Sequence, residues 1–261
     1  ATTRDPAAAA LPDGVDVVRA DLSEPGSLDA CLRGVDAVFL MWPLHTAEAL
    51  PDVLEVIGRH TRRVVFLGSG GVRDLTVDGQ QELFERSGLE WTVIRPSTFA
   101  VNALWWAGQI RAGDVVRGAC GELALAMLHE ADIAAVAVRA LTDAGHDGVV
   151  HHLTGPQALT QAEQVRIIGE VIGRPLRWRE LPRREAREQL VTDGLPASFA
   201  DVLLDTYATM TTWPAPALTT AVRDVTGSPA RTFRQWVADH ADEFTPAGRA
   251  SPPAPPSRRP R

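Results

Sequence analysis

The sequence contains no lysine: all 26 residues of its lysine-plus-arginine complement are arginine. That removes Schiff-base chemistry and any acid–base step that depends on an ammonium group. Tyrosine is almost as scarce, with Tyr207 standing alone. The two cysteines, Cys31 and Cys120, lie far apart, which argues against a disulfide framework and for a reducing, cytoplasmic compartment. No apolar run reaches membrane-spanning length, and the N-terminus has no apolar signal region. A net charge of −7 argues against a nucleic-acid partner, which wants a basic face. Metal-ligand spacing is also missing. His151 and His152 are adjacent on an expected strand, so they point to opposite faces, and no metal is expected.

What remains is ordinary globular material, 261 residues with 45% hydrophobic and 23% charged side chains. Short apolar strands are expected over 15–20, 35–41, 64–67, 91–95 and 148–153. Helical periodicity covers 27–33, 46–59, 78–86 and 132–142. Strands that alternate with helices mean a parallel sheet with crossover helices. In such sheets ligands sit beyond the carboxyl ends of the strands. The stretch Trp91–Asn102, a buried strand that stops at Pro96 and opens into a small polar and aromatic loop, has that character. The second half is looser. It offers a helix over 99–110, a small hairpin over 115–125 and a capping box at Thr160–Glu163 that opens a helix. A short strand at 176–179 and helices over 183–191, 198–211 and 232–244 follow. Residues 246–261, rich in proline and arginine, are expected to be a disordered tail.

Several pieces stand in a telling order: Thr3-Arg4-Asp5-Pro6, Val18-Arg19-Ala20-Asp21-Leu22, Val64 to Ser69, Ser87-Gly88-Leu89-Glu90-Trp91-Thr92-Val93-Ile94-Arg95-Pro96, Asp132-Ile133-Ala134 and Leu153-Thr154-Gly155-Pro156. Over roughly 1–245 the chain resembles the NmrA-like, atypical short-chain dehydrogenase/reductases, in particular the bacterial NAD(P)H-binding proteins similar to ergot-alkaloid enzymes. The resemblance implies a Rossmann-like α/β fold: a parallel sheet with helices on both faces and a smaller C-terminal α/β substrate lobe. Residues 1–98 would form the dinucleotide-binding core, strand 148–154 would return to it, and 99–245 would be mainly substrate lobe. It implies NADP as cofactor, with NAD as the alternative, and a small molecule as substrate for a monomer or homodimer. Thr3 and Arg4 would face the 2′-phosphate, which suits a planar, permanently charged guanidinium. Asp21 and Leu22 would flank the adenine, and Met41, Trp42 and Pro43 would line the ribose. Ser69 would lie near the reacting end, and Pro96, Ser97, Thr98 and Phe99 would close over the nicotinamide.

Two parts of the family pattern are missing. The first strand and its Gly-rich turn, whose amides hold the pyrophosphate, have no counterpart, because Gly68-Ser69-Gly70-Gly71 comes too late in the order. Either that element lies upstream of the given sequence or it has been lost, in which case the sheet lacks its central strand and bares apolar surface. The Tyr-x-x-x-Lys pair of the wider superfamily is impossible without lysine, and Tyr207 falls in the far lobe. In its place Ser69, Gln81 and His129 are the candidate catalytic residues, with Asp78 and Glu82 as neighbours on the same helix as Gln81, and with a proton relay through water and Ser69. Trp105 and Trp106 read as a substrate wall or as core. The expected function is NADP-dependent oxidoreduction of a small hydrophobic carbonyl, imine, enone or quinone. A non-catalytic NADP sensor and a cofactor-independent isomerase or cyclase are the alternatives.

Overall fold

A computed structural model describes residues 1–68 and 74–245; Ser69 and the tail at 246–261 fall outside them. The chain divides into two units. One comprises 1–97, 131–153 and 220–229; the other comprises 98–130, 154–219 and the segment from 230 onward.

Unit 1 opens with β1 (Thr2–Thr3) and β2 (Val18–Arg19), paired in parallel as Thr2 with Val18 and Thr3 with Arg19. Between them Asp5 caps a three-residue turn of 3-10 helix at Pro6–Ala8 by accepting from the Ala7 N–H. β3 (Ala37–Met41), α1 (Leu50–His60), β4 (Arg63–Leu67), α2 (Val77–Arg86) and β5 (Glu90–Pro96) then alternate. Leu50, Val53, Leu54 and Ile57 recur on one face of α1 and are all buried. The helix expected over 27–33 is reduced to a 3-10 turn at Pro25–Leu28, consistent with Pro25 and Gly26 at its start.

In unit 2, β6 (Thr98–Phe99) leads through a 3-10 segment at Ala100–Trp106 into α3 (Ala107–Ala112), then β7 (Val115–Gly118), β8 (Ala124–Leu125) and β9 (Met127–Leu128). The expected continuous helix over 99–110 is therefore broken. Tighter three-residue turns send adjacent Trp105 and Trp106 to different aromatic neighbours, Phe199 and Trp178. The chain returns to unit 1 for most of α4 (Glu130–Thr142) and for β10 (Val149–Leu153). β11 (Leu159–Thr160), α5 (Gln161–Ile172), β12 (Arg177–Glu180), α6 (Arg183–Thr192) and α7 (Ala197–Met210) complete most of unit 2. α8 (Ala221–Thr226) belongs to unit 1 and was not apparent in the sequence, while α9 (Phe233–Asp239) and α10 (Ala241–Phe244) belong to unit 2. The single helix expected over 232–244 divides at His240, whose ring stacks on Trp236 with centroids 4.4 Å apart.

The sheet of unit 1 has the order β10-β5-β4-β3, and every pairing is parallel. It is the Rossmann-like sheet that the resemblance implies. The β1–β2 pair is a separate sheet among the described residues, and β3 is an edge strand that exposes Phe39 and Met41. Such an edge leaves backbone donors and acceptors unpaired. The core packs Val64, Phe66, Trp91 and Val93 against α1 and Phe84.

The hairpin expected over 115–125 does not form. β7 pairs in parallel with β12, and β8 pairs antiparallel with β11. The core of unit 2 gathers Ile110, Val165, Ile168, Phe233, Trp236 and Phe244 around α5 and α9. Among the described residues no helix is long and apolar enough to cross a membrane.

Candidate functional site

Parallel pairing brings the carboxyl ends of the unit 1 strands to one edge. Met41, Leu67 and Ile94 stand in one row, and β5 runs on to Pro96 opposite Leu153. The Ser97 N–H donates to the Leu153 carbonyl at 2.9 Å, so the chain leaves the sheet on a defined course. Leu22 and Trp42 pack on the core, and the Trp42 indole N–H donates to the Thr46 carbonyl at 2.9 Å. Thr3 ends β1 with Arg4 beyond it, and Arg19 ends β2. Asp21 accepts from both the N–H (2.9 Å) and the hydroxyl (2.7 Å) of Ser23. Those bonds hold its carboxyl below the usual range, helped by the charges of Arg4 and Arg19. Arg4 and Arg19 thus stand at the ends of the paired strands β1 and β2.

A further cation went unnoticed in the sequence. Arg95 stands near the end of β5, and its Nη2 is buried without a hydrogen-bond partner. Burial pulls its pKa down and the Asp78 carboxylate opposes that.

The catalytic candidates fare differently. Ser69 lies outside the described residues. Gln81 donates from Nε2 to Glu85 at 3.0 Å along α2, and Glu82 pairs with Arg86 in the same way. His129 is buried in unit 2, with Nε2 at 3.2 Å from Asp239 and Nδ1 at 3.5 Å from Glu130. Glu130 also meets Trp236 and His240, so the histidine belongs to a packed network around α9. His146 and His151 meet each other, Nδ1 to Nε2 at 3.1 Å.

Unit 2 has a pocket open to solvent, with a cavity volume of about 30 Å³. Thr98 lines it, as do Trp105, Trp106, Trp178 and Tyr207. Trp106 and Trp178 meet edge to face at 5.7 Å. The Trp178 ring lies flat on Gly118 and Gly121, where a Cβ would fall inside the indole. Glu180 fixes this wall by accepting from the Trp178 indole N–H (2.7 Å) and from the backbone N–H groups of Cys120 (2.6 Å) and Gly121 (2.8 Å). Burial pushes the Tyr207 phenol up to about 12, so it keeps its proton at neutral pH. Asp193, raised by burial, accepts from Gln109 at 2.7 Å and from Gln189 at 2.9 Å.

The family described as NAD(P)H-binding matches residues 1–144. The chain belongs to that family. Its relatives include a Claviceps fusiformis agroclavine dehydrogenase, 29% identical over 82% of this chain and 78% of the relative. The (4-alkanoyl-5-oxo-2,5-dihydrofuran-3-yl)methyl phosphate reductase of Streptomyces griseus is 37% identical over 242 residues, 89% of this chain and 86% of the relative. The NAD(P)H azoreductase of Xenophilus azovorans is 34% identical over 88% of this chain and 84% of the relative. Among solved structures, the NADPH-dependent quinone oxidoreductase of Escherichia coli superposes with a TM-score of 0.73 at 23% identity, covering 87% of this chain and 83% of that one. This last likeness shows the shared fold.

A Gly-rich turn opening a helix, which would cradle the pyrophosphate, is not among the described residues.

Proposed function

We propose that the protein reduces a small, largely apolar substrate with NADPH, and that Arg4 and Arg19 select the phosphorylated dinucleotide. It is an NAD(P)H-dependent oxidoreductase whose substrate is a carbonyl, imine, enone, quinone or azo compound. The observation that carries the cofactor preference is the placement of Arg19 at the end of β2, paired with Thr3, and of Arg4 directly after Thr3. Two guanidinium groups there can take a 2′-phosphate, which NADH lacks. Asp21, Leu22, Met41, Trp42 and Pro43 would hold the adenosine half, and Pro96, Ser97, Thr98 and Phe99 the nicotinamide. Bound NADPH supplies the hydride.

The chain's own contribution follows from what it contains. With no lysine, no ammonium group lowers the pKa of Tyr207. Its phenol, pushed up to about 12, holds its proton and donates a hydrogen bond instead of acting as a base. The two free cysteines lie in different units, Cys31 in unit 1 and Cys120 in unit 2, in keeping with a reducing cytoplasm.

Fluorescence titration with NADPH and NADH tests the reading. NADPH should bind at least about tenfold more tightly, the scale of one charge-assisted contact. The double variant Arg4→Ala, Arg19→Ala should abolish the difference and leave NADH binding where it was. Equal affinity of the unaltered protein for the two dinucleotides would overturn the assignment of the arginines. Consumption of NADPH on addition of a quinone or azo dye separates an enzyme from a sensor that binds without turnover.

A further inference from the structure

Arg95 differs from the other half-buried arginines of the fold. Arg63 donates to the Leu141 carbonyl at 2.9 Å, and Arg174 donates to the Gly113 carbonyl at 2.8 Å and to Asp114 at 2.9 Å. The Arg95 guanidinium makes no hydrogen bond and no ion pair among the described residues, and its Nη2 is buried. Asp78, exposed in the first turn of α2, acts on it through space without forming an ion pair. A cation drawn partly out of water gives up hydration, and that loss stands until an acceptor offsets it. Strand register places the group. Met41, Leu67 and Ile94 stand in one row, and Arg95 is the next residue on β5, past the last pair that β5 makes with β4 and opposite His152 of β10. Alternation along the strand puts Arg95 on the face of Trp91 and Val93, which pack with Phe84 of α2. The guanidinium therefore stands at the carboxyl edge of an interior strand, where open α/β sheets seat their ligands.

We infer that Arg95 is a catalytic residue that holds the substrate oxygen or nitrogen on which negative charge gathers during reduction. The inference deepens the reductase reading and rests on it for calling the ligand a substrate; the anion site at Arg95 stands apart from it. When the carbon of a carbonyl accepts a hydride, a C–H bond forms and the C=O π pair moves onto the oxygen. In an imine or azo compound the pair moves onto nitrogen, and in an enone or quinone it moves through the conjugated system onto oxygen. The anion so formed accepts a hydrogen bond from the guanidinium, and water then supplies the proton. The guanidinium keeps its own protons and acts by charge and fixed geometry alone. Such a cation is needed here because the chain has no lysine to supply an ammonium group. Asp78 sets the strength of the grip. Its carboxylate offsets part of the Arg95 charge in the free protein, so its removal should tighten the hold on an anion, whereas removal of Arg95 should abolish it.

One arm of the test needs neither cofactor nor turnover. 4-Nitrophenolate, a stable stand-in for the developing anion, and 4-nitroanisole, its neutral ether, are titrated into the protein by calorimetry at a pH where the phenol is ionised. The phenolate should bind about tenfold more tightly than the ether, the scale of one charge-assisted hydrogen bond. Arg95→Gln should erase that preference. Asp78→Asn should tighten the phenolate about twofold and leave the ether where it was, since only the anion feels the lost charge. A merely structural Arg95 would shift both ligands together and would not respond to Asp78. No phenolate binding, equal affinity for the two ligands, or a preference that survives Arg95→Gln would each overturn the inference. If Arg95→Gln fails to fold, Asp78→Asn, at an exposed position, decides by the direction of its effect. The second arm follows NADPH consumption with menadione. Arg95→Gln should lower kcat at least about a hundredfold, the scale of one lost donor to a developing oxyanion, with the KM for NADPH unchanged. Turnover by the unaltered protein that Arg95→Gln leaves intact would keep the reductase reading and sink the role of Arg95. A protein that grips the phenolate through Arg95 yet consumes no NADPH would keep the anion site and lose the reductase reading.

Discussion

Unit 1 lines up its strand ends by backbone register, whereas unit 2 turns side chains inward onto an aromatic-walled pocket. The difference follows from the kind of secondary structure each uses. A parallel sheet lines up its carboxyl ends by hydrogen-bond register alone, so Met41, Leu67 and Ile94 share a row without help from side chains. Among the described residues unit 2 has only two-stranded pairings, and side chains must do the positioning. Glu180 pins a loop by three hydrogen bonds so that Trp178 can lie across two glycines. Charge recognition suits the first arrangement, because exposed arginines are cheap to keep solvated. Shape recognition suits the second.

The largest effect should come from removing the central aromatic of unit 2. Trp236 is fully buried, stacks on Phe233 and donates to Glu130. Trp236→Ala should cost about 3–5 kcal/mol in urea unfolding, with hydrogen-exchange protection retained across β3, β4 and β5. Loss of protection in those strands as well would show that the units unfold together, and the contrast would break. Next in size is Gly155→Ala, where a Cβ would run into the Met127 carbonyl oxygen; a loss of about 1–3 kcal/mol is expected by the same measurement. Thr160→Ala should cost about 1 kcal/mol, since it removes the hydroxyl that accepts from the Glu163 N–H at the start of α5.

The smallest effect belongs to unit 1 and depends on pH. Burial, and then the neighbouring His146, lower the pKa of His151. The folded state therefore favours neutral imidazole, and the unfolded chain binds the proton more readily. The stabilisation is fully present above the ordinary histidine value near 6.5 and is lost as pH falls through the lower folded value. Melting temperature should decline between about pH 7.5 and 5, and His151→Gln should flatten that decline. A decline of equal size in the variant would assign it to other groups.

The sheet of unit 1 was legible because short apolar strands and amphipathic helices carry their periods on the surface of the sequence. Strand 149–153, remote in sequence, joins β5 as expected. The segment over 99–110 was not legible, since its helical period hides a tighter 3-10 turn that only the neighbouring aromatics explain. The paired strands of unit 2 are two to four residues long, too short for a period to show, so β7 and β12 could not be matched from sequence. His129 meets its chain neighbour Glu130 and also Asp239, and only folding brings Asp239 to it.

By itself the amino-acid sequence determined the Rossmann-like sheet, the family and the impossibility of a tyrosine–lysine dyad, because these depend on residue identity and short-range pattern. Only the tertiary structure decided that Tyr207 lines a cavity, that Gln164 carries a buried acceptor without a partner and that Arg95 is half hidden. Burial and hydrogen-bond satisfaction are properties of neighbours distant in sequence, and no local pattern encodes them.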